Sequence, residues 1–162
     1  MSHPPVTPFA PMSPSDRNAL VASARALKRA ALAGSTRPLL RGKNIGLLCE
    51  AQDSDDADLF RRAATELGAR VARIRPSASG LLNATEVQHT ARMLGRLYDA
   101  IECQGLPEEL VQQVRDDAGV PVYDAIAGAG HPSAALAAMV DDEGDNRRYV
   151  VQALLISTIS QA

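Results

Sequence analysis

The sequence is poor in several residue types, and each scarcity argues against a class of function. Its 162 residues include no Trp, three Tyr and two Phe, so an aromatic platform that stacks bases or sugars is not expected. The two cysteines, Cys49 and Cys103, lack the close spacing of metal-binding pairs, and we interpret them as reduced thiols. Neither charge sign dominates, because 17 basic residues stand against 19 acidic ones. This balance gives no electrostatic argument for binding nucleic acid or an anionic membrane.

Long apolar runs are also missing. No run reaches the roughly 18 residues that a transmembrane helix needs, and residues 1–14 lack the basic start and apolar core of a signal peptide. We therefore expect a cytoplasmic protein. Hydrophobic residues make up 46% of the chain, which at this length is enough for one domain with a sizeable core.

Short apolar runs alternate with amphipathic stretches along most of the chain. Strands are predicted at 44–49, 70–74, 100–103 and 120–124, and helices at 14–33, 54–67, 85–98, 107–118 and 131–140. This order is typical of βαβ units, so we predict an α/β fold with three layers, α/β/α, and a four-stranded parallel sheet. Pro121 near the start of the last strand places that strand at an edge. The apolar face predicted for the third helix includes Leu97.

The N-terminal end departs from this alternation. Residues 1–13 are rich in proline and are predicted to form a flexible arm. Ser13 followed by Pro14 is typical of a helix N-cap and the first helical position. We therefore place the start of the folded domain at residue 14.

The C-terminal end departs from it as well. The predicted domain covers residues 14–140, and residues 141–145 (DDEGD) form an acidic linker. Residues 146–162 are predicted to form a helix that is apolar on more than one face, so it should be largely buried against the domain. The side chains expected to be buried are Tyr149, Leu154 and Ile159.

Ligands of open parallel sheets bind outside the carboxyl ends of the strands. Residues 50–55, residues 103–105 and the loop before His131 follow predicted strands, so a candidate site is expected there. Four aspartates within residues 53–58 lie at a predicted helix N-terminus, where they oppose the helix dipole favourably. Their spacing partly resembles a calcium loop, but it lacks the Gly at the sixth position and the Glu at the twelfth, which is Ala64. No metal site is predicted.

Several segments together resemble one protein family. They are LRGKNIGLLCE at 40–50, RRAATELGARVARIRPSAS at 61–79, TARMLGRLYDAIECQG at 90–105, GVPVYDAI at 119–126 with HPSA at 131–134, and DNRRYVVQALLISTI at 145–159. All but the last are similar to the N-terminal, carbamoyl-phosphate-binding domain of the ornithine and aspartate transcarbamoylases, and the third leans toward the ornithine enzymes. The last is similar to the helix that ends the family's chain and packs back on that domain. The resemblance implies that domain's fold, with the amino-acid-binding domain missing and residues 141–145 as the splice.

The resemblance also implies that phosphate contacts have been lost. The family's Ser-Thr-Arg-Thr-Arg run is replaced here by Asp53, Ser54, Asp55, Asp56 and Ala57, its Arg-Gly after the third strand by Gln104-Gly105, and the Gln of its His-Pro-x-Gln motif by Ala134. Arginine matches phosphate geometry bidentately and carboxylates repel a dianion. The resemblance therefore implies a degenerate ligand site with no catalytic residue and no cofactor. Its residues are Asp53, Ser54, Asp55, Asp56, Gln104 and His131.

Assembly and function follow from the same resemblance. The family's N-terminal domains form the central contacts of a trimer, so a homotrimer is implied, and a transcarbamoylase hetero-partner is a further option. We predict a non-catalytic protein, structural or regulatory, that self-associates or binds a partner. Two alternatives stay open: a small-ligand sensor at the altered site, and a residual carbamoyltransferase acting on an amino acid. His131 is either a retained ligand contact or a relic that caps the following helix.

Overall fold

A computed structural model describes residues 13–51, 53–142 and 144–159 of the chain. The elements are α1 (Pro14–Leu32), β1 (Asn44–Leu48), α2 (Asp55–Glu66), β2 (Arg70–Ile74), α3 (Val87–Leu97), β3 (Ala100–Cys103), α4 (Glu108–Ala118), β4 (Val122–Asp124), α5 (Ala137–Val140) and α6 (Arg147–Ile159). Short 3₁₀ segments cover Pro76–Ala78 and Pro132–Leu136. Apart from Ser13, the predicted proline-rich arm lies outside the described residues, and so does the predicted helix end after Ile159.

Four parallel strands form a single sheet in the order β2-β1-β3-β4. The α/β fold and the parallel sheet are therefore confirmed. β4 lies at an edge, as Pro121 indicated, although it begins two residues later than predicted. Pro121 itself still contributes to the sheet, because its carbonyl oxygen accepts a hydrogen bond from Ile101 N at 2.9 Å.

The two faces of the sheet carry separate core layers. Ile45 and Leu47 of β1 point into the layer shared with α1, α2 and α6. Leu48 points to the opposite face, where Ile101 of β3 packs with α3 and α4. Adjacent side chains of a strand point to opposite faces, so one short apolar strand supplies both layers. This arrangement is the three-layer α/β/α architecture that the sequence predicts.

Helix α6 is part of the first core layer. It packs against α1 and α2, and the exposed fractions of Tyr149, Leu154 and Ile159 are 4%, 2% and 1%. Their predicted burial is confirmed. Gln152 is also buried, and its Nε2 donates to Ala63 O and to Glu66 Oε2, both at 3.1 Å. The polar side chain on the buried face is thus satisfied by α2.

The segment between α5 and α6 is held by basic side chains of α1. Only residues 141–146 separate the two helices. Arg25 donates from Nη2 to Met139 O at 2.6 Å, at the carboxyl end of α5. Lys28 Nζ lies 3.1 Å from Asp141 Oδ2 and donates to Asn146 Oδ1 at 2.8 Å. These contacts return the chain onto α1 immediately after α5.

Two local predictions were wrong. Residues 131–140 were predicted as one helix, but Pro132–Leu136 is a 3₁₀ segment and only Ala137–Val140 is α-helical. Leu97 was predicted to share the apolar face of the third helix, yet it is 58% exposed while Val87, Ala91 and Leu94 are buried. At 100° per residue, position 98 rather than 97 lines up with the buried face of α3, and Tyr98 packs against that core layer instead. Within the described ranges, no helix is both long enough and apolar enough to span a bilayer.

Candidate functional site

The carboxyl ends of β1 and β3 define the candidate site. These strands are neighbours at the centre of the sheet, and the chain proceeds from β1 outward to β2 before it returns to β3 on the other side. Such a reversal of strand order opens a crevice where open parallel sheets bind ligands. We call the rim the set of described residues that border this crevice: 50–51 and 53–56 after β1, 104–105 after β3 and 125–131 after β4.

Ser54 begins α2 and caps it. Its backbone is extended, with φ −115° and ψ 149°, and its Oγ accepts a hydrogen bond from Ala57 N at 3.0 Å. This is the geometry of an N-cap. Asp55 and Asp56 lie in the first helical turn, where their charge favours the helix dipole. Asp53 and Asp55 are exposed, whereas Asp56 is partly buried.

Ala57 does not belong to the rim. Its exposed fraction is 0%, and it packs in the core layer beneath α2. In this fold, an arginine at position 57 would direct its side chain toward the apolar core. The resemblance implies lost arginines at positions 55, 57 and 104, and only 55 and 104 lie where an arginine would change the charge of the rim.

Glu102 is the site residue that the sequence reasoning missed. It lies in β3 with an exposed fraction of 0%. Its Oε1 accepts from Ile126 N at 3.1 Å, and its Oε2 accepts from Ala127 N at 3.4 Å. Burial raises the pKa of Glu102 to about 8 although these hydrogen bonds oppose the shift, and the nearby Asp124 carboxylate adds to it. A glutamate inside an apolar strand was the available signal, because charged residues are almost never fully buried without partners.

Gln104 joins the start of α2 to β3. Its Nε2 donates to Asp56 O and to Glu102 Oε2, both at 3.2 Å. Its Oε1 is buried and has no hydrogen-bond partner among the residues that the structure describes. The structure therefore brings together two of the predicted site residues, Asp56 and Gln104, and connects both to Glu102.

The turn after β4 completes this side of the rim. Ala125 has a φ of 54°, a left-handed conformation that is unfavourable for a residue with a Cβ. Gly128 N donates to Ala125 O at 2.9 Å and closes the turn. Arg147 of α6 donates to Ala127 O. The turn is thus held by Glu102 from the sheet and by Arg147 from the C-terminal helix.

His131 caps the 3₁₀ segment that follows the turn. Its Nδ1 accepts from Ser133 N at 3.2 Å and lies 2.8 Å from Ser133 Oγ. His131 therefore caps this segment, as one of its two interpretations expects, and its role as a ligand contact stays a prediction. Burial lowers the pKa of His131 to about 4, so the ring is neutral at pH 7. Its backbone N–H donates to Gly128 O at 3.1 Å, which ties the histidine to the turn.

Basic side chains near the other end of the rim are engaged with Glu50. Arg73 donates to Glu50 O, and Arg75 Nε lies 3.6 Å from Glu50 Oε2. Ser77 donates to the same carboxylate through its backbone N–H and its Oγ, and these bonds lower the pKa of Glu50. Arg73 is therefore engaged with the backbone of Glu50, and Arg75 with its carboxylate.

Metal and thiol chemistry find little support at the rim. In residues 13–51, 53–142 and 144–159, no group of three or more His, Cys, Asp or Glu side chains could hold a metal ion. Cys49 and Cys103 are buried free thiols. Burial raises the pKa of Cys103, which disfavours the reactive thiolate.

Comparison with known proteins gives concordant matches. A family model described as "Aspartate/ornithine carbamoyltransferase, carbamoyl-P binding domain" matches residues 6–141. The catabolic ornithine carbamoyltransferase of Haemophilus influenzae is 41% identical over 113 residues, covering 70% of this chain and 34% of that protein. The ornithine carbamoyltransferase of Cutibacterium acnes is 39% identical over 118 residues, covering 73% and 35%. The chain thus spans about a third of the length of these relatives.

Solved structures show the same likeness. Ornithine carbamoyltransferase from Thermus thermophilus superposes with a TM-score of 0.68 at 25% identity, covering 86% of this chain and 48% of that one. Aspartate transcarbamoylase from Trypanosoma cruzi, solved with carbamoyl aspartate and phosphate, gives a TM-score of 0.67 at 27% identity, covering 80% and 41%.

Proposed function

Because the chain belongs to the aspartate/ornithine carbamoyltransferase family, we propose that it is a non-catalytic member, structural or regulatory, whose rim does not hold carbamoyl phosphate usefully. The observation that carries this proposal is the hydrogen bonding of the Gln104 side chain. At the strand end where the family has an arginine, this chain has an amide whose Nε2 is committed to Asp56 O and Glu102. That group offers no positive charge to a phosphate.

The missing charges set the expected affinity. Hydrogen bonds to charged groups contribute roughly 1.5–3 kcal/mol each. Arginine is absent at the two rim positions, 55 and 104, so the expected loss is about two to four orders of magnitude in affinity. Asp55 and Asp56 add repulsion, because like charges about 4 Å apart repel by roughly 1 kcal/mol in water and about 4 kcal/mol near a protein surface. Both effects act in the same direction.

Isothermal titration calorimetry with carbamoyl phosphate tests the proposal. We expect no binding tighter than millimolar, and a dissociation constant at or below about 100 μM would refute the proposal. The double variant Asp55→Arg/Gln104→Arg returns both guanidinium groups to the rim and should bind more tightly than the wild type. Gln113→Arg/Asp116→Arg makes the same charge change on exposed positions of α4 and should not bind. A residual carbamoyltransferase would instead release phosphate when ornithine and carbamoyl phosphate are supplied together.

We propose self-association as a trimer through this domain. Met93 and Leu97 are four residues apart on α3, so they share one helix face, and they are 44% and 58% exposed. Leu82, in the loop before α3, is 61% exposed. Exposed apolar side chains of this kind support an interface with another chain. We also propose that the protein is cytoplasmic, as the sequence predicts.

Light scattering after size exclusion tests the assembly. A trimer should weigh about three times the 17.1 kDa chain. Met93→Glu/Leu97→Glu should dissociate it, whereas Leu32→Glu, at a 77% exposed position on α1, should not. A monomer at all micromolar concentrations would contradict self-association and favour a hetero-partner.

A small-ligand sensor is the second candidate. Gln104 Oε1 is a buried acceptor with no hydrogen-bond partner among the described residues, and a ligand that donates a hydrogen bond would satisfy it. Small neutral amides and divalent cations in the same calorimeter test this function. Binding that is lost in Gln104→Leu but kept in Gln113→Leu would support it.

A further inference from the structure

Three N–H donors converge on one fully buried carboxyl group. Two are the successive backbone N–H groups of Ile126 and Ala127, and the third is Gln104 Nε2. The turn that presents the backbone pair begins at Ala125, which is left-handed. Successive N–H groups next to a left-handed residue form concave sites that bind anions.

We propose that the N–H groups of Ile126 and Ala127, together with Gln104 Nε2, form a carboxylate-binding site that the chain fills with its own Glu102. Glu102 is then an internal ligand that holds the turn at residues 125–128 and positions His131 behind it. The ligand class of the site is a small monocarboxylate, which can enter once the side chain at 102 is shortened. The site shares Gln104 with the rim but does not include the exposed aspartates. Its test uses formate and not carbamoyl phosphate, so this proposal and the proposed function can fail separately.

The donor set matches a carboxylate better than other occupants. All three groups that contact Glu102 are N–H donors, and an ionised carboxylate only accepts hydrogen bonds, so the three donors fit Glu102 above its pKa of about 8. An amide in the same place would turn its own N–H hydrogens toward one of the donors.

The turn also depends on this occupant. A left-handed alanine persists only where the surroundings hold it. Here the supports are Glu102, on the N–H groups of Ile126 and Ala127, and Arg147, on the carbonyl oxygen of Ala127. His131 N donates to Gly128 O. Loss of the Glu102 contact should therefore change the position of His131 and the environment of its ring.

Chemical rescue tests the proposal. The Glu102→Ala variant is unfolded with urea at pH 8.5 in sodium formate or in sodium chloride of equal ionic strength. At a formate concentration ten times its dissociation constant, the folded-to-unfolded ratio of the variant should rise roughly tenfold. Formate should not change the wild type, because Glu102 occupies the site.

Ile101→Ala is the matched control. Ile101 is the neighbour of Glu102 on β3 and is also fully buried, so its truncation opens an apolar cavity without this donor set. Formate should leave this variant unchanged. A formate effect on Glu102→Ala that is absent, or that is equal in the wild type and Ile101→Ala, would overturn the proposal.

The His131 ring gives a second readout. Its Cε1–H resonance should move in Glu102→Ala and return toward the wild-type position in formate. If Glu102→Ala does not fold in either salt, Glu102→Gln decides by amide hydrogen exchange. Because glutamine keeps only one acceptor oxygen, at least one of the amides of Ile126 and Ala127 should then exchange about tenfold faster than in the wild type, with that of Ile101 unchanged. Unchanged exchange at the turn would refute the internal ligand.

Discussion

Replacing Glu102 by Gln removes a titrating group while keeping the shape of the side chain, so it should change how stability depends on pH. The pKa of Glu102 is about 8 in the folded protein, against an ordinary value of 4.5. Between these pH values the folded chain holds a proton that the unfolded chain releases. The stabilisation that this proton provides is therefore complete below about pH 4.5. As the pH rises from 4.5 to about 8, the folding equilibrium constant falls roughly tenfold per pH unit.

His131 acts in the opposite direction in part of this range. Its pKa is lowered from 6.5 to about 4, so its contribution is present above pH 6.5 and is lost as the pH falls toward 4. In the wild type the two slopes offset each other up to about pH 6.5, and the decline should be visible between 6.5 and 8. In a His131→Asn variant the decline should begin near pH 4.5.

The comparison of the wild type with Glu102→Gln isolates one group. The charged or titratable residues that face Glu102 directly or across one contact are Asp124, Tyr123, Cys103, Arg147 and Asp56. All remain in both proteins, so their own titrations largely cancel in the difference. What remains is the proton that Glu102 takes up on folding.

Urea unfolding followed by far-ultraviolet circular dichroism from pH 4.5 to 9 measures this difference. The folding equilibrium of the wild type relative to Glu102→Gln should fall by about three orders of magnitude across the window and then stay level. A difference that is constant with pH would show that Glu102 titrates as an exposed glutamate does. It would refute the reasoning that burial outweighs the three N–H donors.

Three further substitutions test the packing. Gly95→Ala should destabilise the fold by several kcal/mol, because a Cβ there would lie 1.7 Å from Ala118 O where α3 crosses α4. The control Gly105→Ala, at φ +73° with nothing within 4 Å of the new Cβ, should lose only about 1 kcal/mol of stability. Equal melting temperatures for the two variants would contradict this expectation. Leu155→Ala in α6 should lower the free energy of unfolding in urea by about 2–5 kcal/mol, because Leu155 is fully buried. The control Leu32→Ala, at a 77% exposed position, should change it by less than about 0.5 kcal/mol. A similarly small effect of Leu155→Ala would place α6 outside the core. Lys28→Met should loosen the segment between α5 and α6, because it removes the contacts to Asp141 and Asn146. Amide hydrogens of α6 should then exchange faster than in the wild type, while those of α4 keep their rates. The same change of exchange rate in both helices would contradict this expectation.

The secondary structure was largely determined by local sequence. β2 and β3 have the bounds that were predicted, and Ser13 and Ser54 cap α1 and α2 through their own side chains. Caps and apolar periodicity act over three or four residues, so they can be read without knowing the fold. The burial of α6 was equally predictable, because a helix that is apolar on several faces must be covered.

The candidate site was only half predictable for a different reason. The sequence placed Ser54 and Gln104 after strands and Asp56 at the start of a helix, and in the structure all three lie where these elements begin or end beside the crevice. It could not show that Ala57 faces the core, because the rotation of α2 about its axis is set by packing with α6 and the sheet. The prediction for Leu97 was wrong for the same reason, because the packing of α3 on its neighbours turns Tyr98 rather than Leu97 toward the core.

Glu102 shows what only the tertiary structure decided. Its partners Ile126 and Ala127 lie 24 and 25 residues further along the chain, and Arg147 reaches the same turn from α6. These contacts depend on which strands are neighbours and on the register between them. Local periodicity carries no information about such pairings, because it reports which face of an element is apolar and not which distant backbone will meet it. The sequence by itself therefore determined the family and the layers, and tertiary packing determined which carboxyl group is buried and what holds it.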